Sequence, residues 1–245
     1  MNHANTASAS ALNTEAKETE ASCLLLHGSF HGGWCWEKMA PYLPSQLKVY
    51  APSLALTPAS TGLNDHIAQA ASAIAALPAH KPYIAVAHSY AGMALPAAIA
   101  QAGRRPQLSL FLDAFVPRKG ESAFDLLGPG ADAMRSTARD GFLPAPPAAA
   151  FGVEGEAFLA WCDDNLKPMP LKTHDDPAPI GANDLSLGAA VFCRCTGFSG
   201  FQPMETRAER MGWALHFLNT GHDAMITAPQ ELAQLIGDLY EATKP

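Results

Sequence analysis

The stretch Tyr83-Ile84-Ala85-Val86-Ala87-His88-Ser89-Tyr90-Ala91-Gly92 constrains the fold more than any other part of the chain. An apolar, strand-like run stops at a serine, and a helix-compatible segment, residues 93–102, follows at once. A strand-to-helix turn sharp enough to expose a hydroxyl needs small side chains two places before and two places after the serine. Those places hold Ala87 and Ala91, with Gly92 one position later, a relaxed form of G-x-S-x-G. Taken alone, Ser89 reads equally well as a helix N-cap. The surrounding segments decide between the two.

The first of these lies upstream, where the apolar run Cys23-Leu24-Leu25-Leu26 passes into His27-Gly28-Ser29-Phe30-His31-Gly32-Gly33-Trp34-Cys35-Trp36. Glycine has no Cβ, so such a loop brings backbone N–H groups close to a substrate oxygen. Acyl transfer needs two such donors aimed at the oxyanion. The N–H of Ser29 and the N–H of Tyr90, just after the serine, are the candidates. The second segment is late. Residues 214–220 read as a short strand, and Gly221-His222-Asp223 follows. Thr227 is then expected as an N-cap, with Pro229 in the first turn of an amphipathic helix reaching Leu239. A histidine on the loop between the last strand and the last helix is placed to reach back to a nucleophile as its general base.

With these pieces in view, the chain resembles the α/β-hydrolase superfamily. Within it, the chain is similar to the plant methyl-ester esterases, the hydroxynitrile lyases and their bacterial esterase relatives. The matching stretches are residues 24–36, 86–92, 111–117 and 221–229. The resemblance implies an α/β fold over residues 21–245: a mostly parallel central sheet flanked by helices. It implies Ser89 as nucleophile, His222 as base, and the Ser29 and Tyr90 N–H groups as the oxyanion hole.

The acid of such a triad is less direct. In most relatives it follows the strand before the last one, which here places it near Phe198, and no Asp or Glu occurs between Asp184 and Glu205. The favoured replacement is Asp113, at the end of the apolar run Leu108-Ser109-Leu110-Phe111-Leu112. A carboxylate at the end of a buried parallel strand is costly unless paired. Ligands of open α/β sheets also bind at that edge. Certain haloalkane dehalogenases resemble this arrangement. Two readings compete: Asp113 as a loop residue pairing with Arg118, and Asp223 as the acid, although a residue adjacent to His222 reaches its Nδ1 with difficulty.

Between about residues 117 and 184 the strand–helix alternation breaks down, with frequent Gly, Pro and Ala and helical pieces at residues 123–127 and 154–162. This resembles the small helical cap that such hydrolases insert after the strand ending at Asp113. The expected division is a flexible tail at 1–20, a hydrolase core at 21–117 and 185–245, and a cap at 118–184. Phe30, Phe158 and Trp161 are the candidate substrate-binding residues. Asp163-Asp164 and His174-Asp175-Asp176 fit no metal-ligand scheme and read as solvated loop residues.

Bulk properties narrow the function classes. A chain of 245 residues, 48% apolar and 16% charged, has ample material for one globular core. Its net charge of −7 and the lack of a basic cluster argue against nucleic acid. No apolar run approaches the roughly 20 residues of a membrane span. Five cysteines without zinc-ligand spacing suit a reduced, cytoplasmic protein. Residues 1–20 lack the apolar centre of a signal peptide.

The expected activity is that of a carboxylesterase-type serine hydrolase (EC 3.1.1). It would cleave a small-to-medium apolar ester through an acyl-enzyme, with no cofactor and no metal, and a homodimer is left open. Two alternatives stand beside it. One is a hydroxynitrile-lyase-like reaction on the same residues. Gly28 and Asp223 speak against it, because the plant lyases carry threonine and lysine there. The other is a binding protein that no longer turns over, motivated by the missing acid near Phe198.

Overall fold

The computed structural model describes residues 20–244 of the chain. The expected flexible tail lies outside the described residues except for Glu20. The elements follow in the order β1 (Ala21–Leu26), β2 (Leu47–Tyr50), α1 (Leu63–Ala76), β3 (Tyr83–His88), α2 (Ala91–Ala102) and β4 (Leu108–Leu112). After β4 come α3 (Ala123–Leu127), α4 (Ala131–Ser136), β5 (Phe142–Leu143), α5 (Glu156–Asn165), β6 (Met169–Pro170) and α6 (Lys172–Asp175). The chain then returns through β7 (Ala189–Cys195), α7 (Gln202–Arg210), β8 (Ala214–Leu218), α8 (Ala224–Thr227) and α9 (Pro229–Thr243).

Six strands form one parallel sheet in the order β2-β1-β3-β4-β7-β8. Strands β1, β3 and β4 are buried along their whole length, as their unbroken apolar runs require of strands covered on both faces. The edge strands β2 and β8 are only partly covered. The chain adds β2 on one side of β1 and then crosses to add β3 on the other. The order therefore reverses between β1 and β3, and a crevice opens there at the carboxyl ends of the strands. The loop carrying Ser29 and the turn carrying Ser89 both emerge at this point.

The segment between β4 and β7 holds the short helices α3 to α6 together with a two-stranded antiparallel ribbon of β5 and β6, which no sequence pattern announced. Two backbone hydrogen bonds help pin it to the core. Lys167 N–H donates to the Phe30 carbonyl at 3.0 Å, and Asp223 N–H donates to the Phe151 carbonyl at 3.2 Å. Beside the second bond two glycines meet face to face. A Cβ on Gly221 would lie 2.7 Å from the Gly152 Cα, closer than carbon atoms pack.

Two sequence expectations are corrected here. His174 and Asp176 are not solvated loop residues: His174 is 1% exposed, and Asp176 accepts from the Leu63 N–H at the start of α1 while pairing with Lys172. Asp163, Asp164 and Asp175 are exposed as expected, with Asp163 accepting from the Ala148 N–H. Thr227 is not an N-cap. It closes α8 with its hydroxyl donating to the Asp223 carbonyl, and Ala228 takes the N-cap of α9.

Candidate active site

The candidate residues gather at the carboxyl edge of the sheet. Ser89 follows β3 directly, and its backbone adopts φ +53°, the left-handed conformation of a sharp strand-to-helix turn. Its N–H donates to the Leu112 carbonyl at 3.2 Å, extending the β3–β4 ladder into the turn. The N-cap position of α2 is Tyr90, so Ser89 stands outside the helix. The loop after β1 runs against the turn: a Cβ on Gly28 would lie 2.8 Å from the Ser89 Cβ. Among the described residues, neither the Ser29 nor the Tyr90 backbone N–H meets a protein acceptor.

Asp113 follows β4 in a similar left-handed conformation, φ +42°, and is fully buried. Its N–H donates to the Cys193 carbonyl, which sets the carboxylate between β4 and β7. One oxygen, Oδ1, accepts from the Cys195 N–H at 3.3 Å, and Oδ2 lies 2.6 Å from His222 Nδ1. Asp223 turns away from that ring, and its Oδ2 is bonded to His31 Nε2 at 3.1 Å. Among the described residues no direct hydrogen bond joins Ser89 Oγ to His222. Serine–base contacts of this kind are often long until substrate binds.

Aromatic rings enclose His222. Phe201 lies parallel to the imidazole, with centroids 5.1 Å apart and planes 3° apart, and Phe198 packs on it at 4.7 Å. Phe198 marks the place where the resemblance puts the acid, so an aromatic ring covers the base there while Asp113 brings the carboxylate from the neighbouring strand. Phe151 adds a third ring at 6.1 Å. His88, just before Ser89, stands 4.5 Å from His222 and donates from Nε2 to the His222 carbonyl at 3.1 Å.

Two further histidines stand at the site that the sequence analysis did not single out. His174, from α6, accepts at Nε2 from the Ser29 hydroxyl (3.1 Å) and bonds Thr173 Oγ1 through Nδ1 (2.9 Å). Burial, aided by the charge of His66, pushes its pKa down to about 3, so the ring is neutral. His31 is the opposite case. Burial alone would lower its pKa, but the Asp223 carboxylate and the Ser29 carbonyl outweigh it and raise the pKa above the ordinary value. Its HGxxHG spacing was the available signal, since a second histidine three residues after Gly28 returns to the same crevice.

Of the three candidate substrate-contact residues, Phe158 and Trp161 share α5 and flank Lys38, while Phe30 stands on the loop after β1. Phe30 is buried with φ +68°, its ring 6.5 Å from His174. Trp161 packs edge-on to Trp34 at 5.1 Å, with Lys38 Nζ over its other face. Phe158 is 47% exposed, on a groove shared with Gly152, Thr220 and Gly221. For a metal, His88, His222 and Asp223 are the one grouping among the described residues whose ligand atoms lie within 4.8 Å of one another. Asp113 holds one His222 nitrogen, and His31 one Asp223 oxygen.

Comparison with known proteins shows the family of the chain. The carbendazim hydrolyzing esterase of Nocardioides sp. (strain SG-4G) is 27% identical over 248 residues, 89% of this chain and 99% of that protein. Methylesterase 10 of Arabidopsis thaliana is 25% identical, over 88% of this chain and 90% of its own length. Tomato methylketone synthase I, solved in complex with 2-tridecanone, superposes with a TM-score of 0.77 at 20% identity, covering 92% of this chain and 99% of that one, a likeness of fold alone. The model of the alpha/beta hydrolase family matches residues 23–235, and the chain belongs to that family.

Proposed function

We propose that the protein is a serine carboxylesterase acting on small-to-medium apolar esters. The observation that carries this reading is the 2.6 Å contact of His222 Nδ1 with Asp113 Oδ2, made at the same sheet edge as a serine held at φ +53°. Asp113 fixes the tautomer in which His222 Nε2 is the lone-pair nitrogen. That nitrogen takes the Ser89 proton as Oγ attacks the ester carbonyl. The Ser29 and Tyr90 N–H groups, free of protein acceptors among the described residues, receive the oxyanion, each such donor contributing about 3 kcal/mol to barrier reduction. The imidazolium then protonates the departing alcohol, and a water deprotonated by His222 releases the acid.

Both full-length relatives named above are called esterases, which supports ester cleavage over the lyase alternative. Asp223 supports it too, because it puts a carboxylate where the plant lyases carry a lysine directly after the base. Five buried free thiols favour a reducing, cytoplasmic setting. Among the described residues no helix is long and apolar enough to cross a membrane.

The test is nitrophenol release from a series of nitrophenyl esters of rising acyl length, with Ser89→Ala alongside. Turnover by the wild type that falls about 10⁴-fold or more in the variant is the expected result. Wild-type inactivity would overturn the reading and leave cyanohydrin cleavage or ligand binding without turnover.

A further inference from the structure

A second buried imidazole–carboxylate pair lies behind the site, and the proposed mechanism does not use it. His31 Nδ1 donates to the Ser29 carbonyl at 2.7 Å, and Nε2 donates to Asp223 Oδ2 at 3.1 Å. Both ring nitrogens are thus engaged, and both residues are at most 2% exposed. The ring is also clamped by stacking on Trp34 at 5.3 Å and by the edge of Phe151 at 5.3 Å. Its two hydrogen-bond partners belong to different parts of the machinery. Ser29 carries a candidate oxyanion N–H one peptide away from the bonded carbonyl. Asp223 directly follows the candidate base.

We propose that His31 and Asp223 form a positioning strut that locks the oxyanion loop after β1 to the base loop after β8. This inference rests on the esterase reading for its effect on turnover. The physical argument is that a buried imidazolium and carboxylate hold each other tightly, because separating either leaves an uncompensated charge in the interior. A movement of one loop is therefore passed to the other. The groups facing the pair leave its charges to each other. His27 and His88 stand near His31, and burial is the main cause that lowers the pKa of each, to about 3 for His27 and well below the ordinary value for His88. Cys35, Cys162 and Cys195 face Asp223 as protonated thiols, their pKa values raised chiefly by burial. His88 Nε2 lies 3.9 Å from Asp223 Oδ1, too far for a hydrogen bond, and that oxygen has no partner among the described residues. His31 is thus the direct hydrogen-bond partner of the carboxylate.

The experiment is a double-mutant cycle of His31→Gln and Asp223→Asn, read both on turnover and on histidine and amide resonances. Each single variant should lower kcat for a nitrophenyl ester about 10- to 100-fold with KM little changed, and the double variant should be no worse than the poorer single one. Asp223→Asn should also move the His31 titration midpoint down by about 1–3. The same change should shift the amide resonance of Ser29, far from position 223 in sequence. Single variants with wild-type kcat, or losses that simply multiply in the double variant, would overturn the strut. A wild type that hydrolyses no ester would sink the esterase reading and leave the resonances to decide. An unmoved His31 midpoint and Ser29 amide in Asp223→Asn would then overturn the strut on their own.

Discussion

The loop after β8 carries half of each of two buried imidazole–carboxylate pairs, and the two are built differently. In the His222–Asp113 pair the carboxylate is the saturated member: Oδ2 meets the ring and Oδ1 the Cys195 N–H. The ring keeps Nε2 clear of any protein hydrogen bond among the described residues. In the His31–Asp223 pair the ring is the saturated member, with the Ser29 carbonyl on one side and Asp223 on the other, while Asp223 Oδ1 is left unbonded. An imidazole with a spare nitrogen can move a proton. One with both nitrogens committed can only hold geometry. On the proposed reading the same two residue types serve chemistry in one pair and placement in the other, and the deciding quantity is the number of free lone pairs and protons.

The sharpest way to break this contrast is to neutralise each carboxylate. Asp113→Asn should cost about 10⁴ in kcat, because the amide donates to Nδ1 and enforces the wrong tautomer. Its unfolding midpoint should stay near that of the wild type. If Asp113→Asn were as mild as Asp223→Asn, the two pairs would not have different roles. Gly221→Ala should damage both pairs together, since its Cβ would strike Gly152 and displace residues 222 and 223 at once. An overpacking cost of about 1–3 kcal/mol in urea unfolding is expected, with turnover reduced further than the stability loss explains.

Stability against pH sharpens the contrast in charge. His31 has a raised folded pKa, so its ion-pair contribution is complete below about pH 6.5 and is lost as pH climbs through that folded value. Asp223→Asn should flatten this alkaline decline. On the acid side the sign reverses. His27 and His174 are held neutral with pKa values of about 3, so below pH 6.5 the unfolded chain binds more protons. Stability should then fall by about 1.4 kcal/mol per pH step for each ring. Guanidinium unfolding from pH 4 to 9 measures both limbs. The smallest effect is expected from Phe201→Leu, which removes the ring stacked on His222 and leaves His31 untouched. Loss of an aromatic contact of about 1 kcal/mol should lower kcat severalfold, with no change at the His31 resonance.

Much of the sheet could be read from the chain because its signals are local. The unbroken apolar runs of β1, β3 and β4 announce buried parallel strands, and β4 begins and ends where its residues predict. Ser89, Asp113 and His222 stand at strand ends, so finding the strands finds them. The meeting of Asp113 with His222 depends on β7 and β8 following β4 in the sheet, an order that no local signal in the chain announces. The insertion was far less legible. Its β5–β6 ribbon is two residues long on each side, too short for any periodicity. His174 sits among charged neighbours in a His-Asp-Asp sequence that looks solvated, and only the packing of α6 onto Ser29 and Tyr90 buries it. The His31–Asp223 contact joins residues with no local pattern in common, a tertiary fact that propensity does not encode.

Three of the four non-glycine residues described with positive φ lie at the sheet edge used by the site: Phe30, Ser89 and Asp113. Left-handed backbone costs an ordinary residue about 1–2 kcal/mol. The rest of the fold must hold each of them against its own preference. Glycine at position 89 would relieve that cost and remove the proposed nucleophile in the same stroke. On the proposed mechanism, screening variants for heat resistance alone would therefore favour, at position 89, molecules that melt later and catalyse nothing. The opposition between durability and activity is written into the backbone of the site itself.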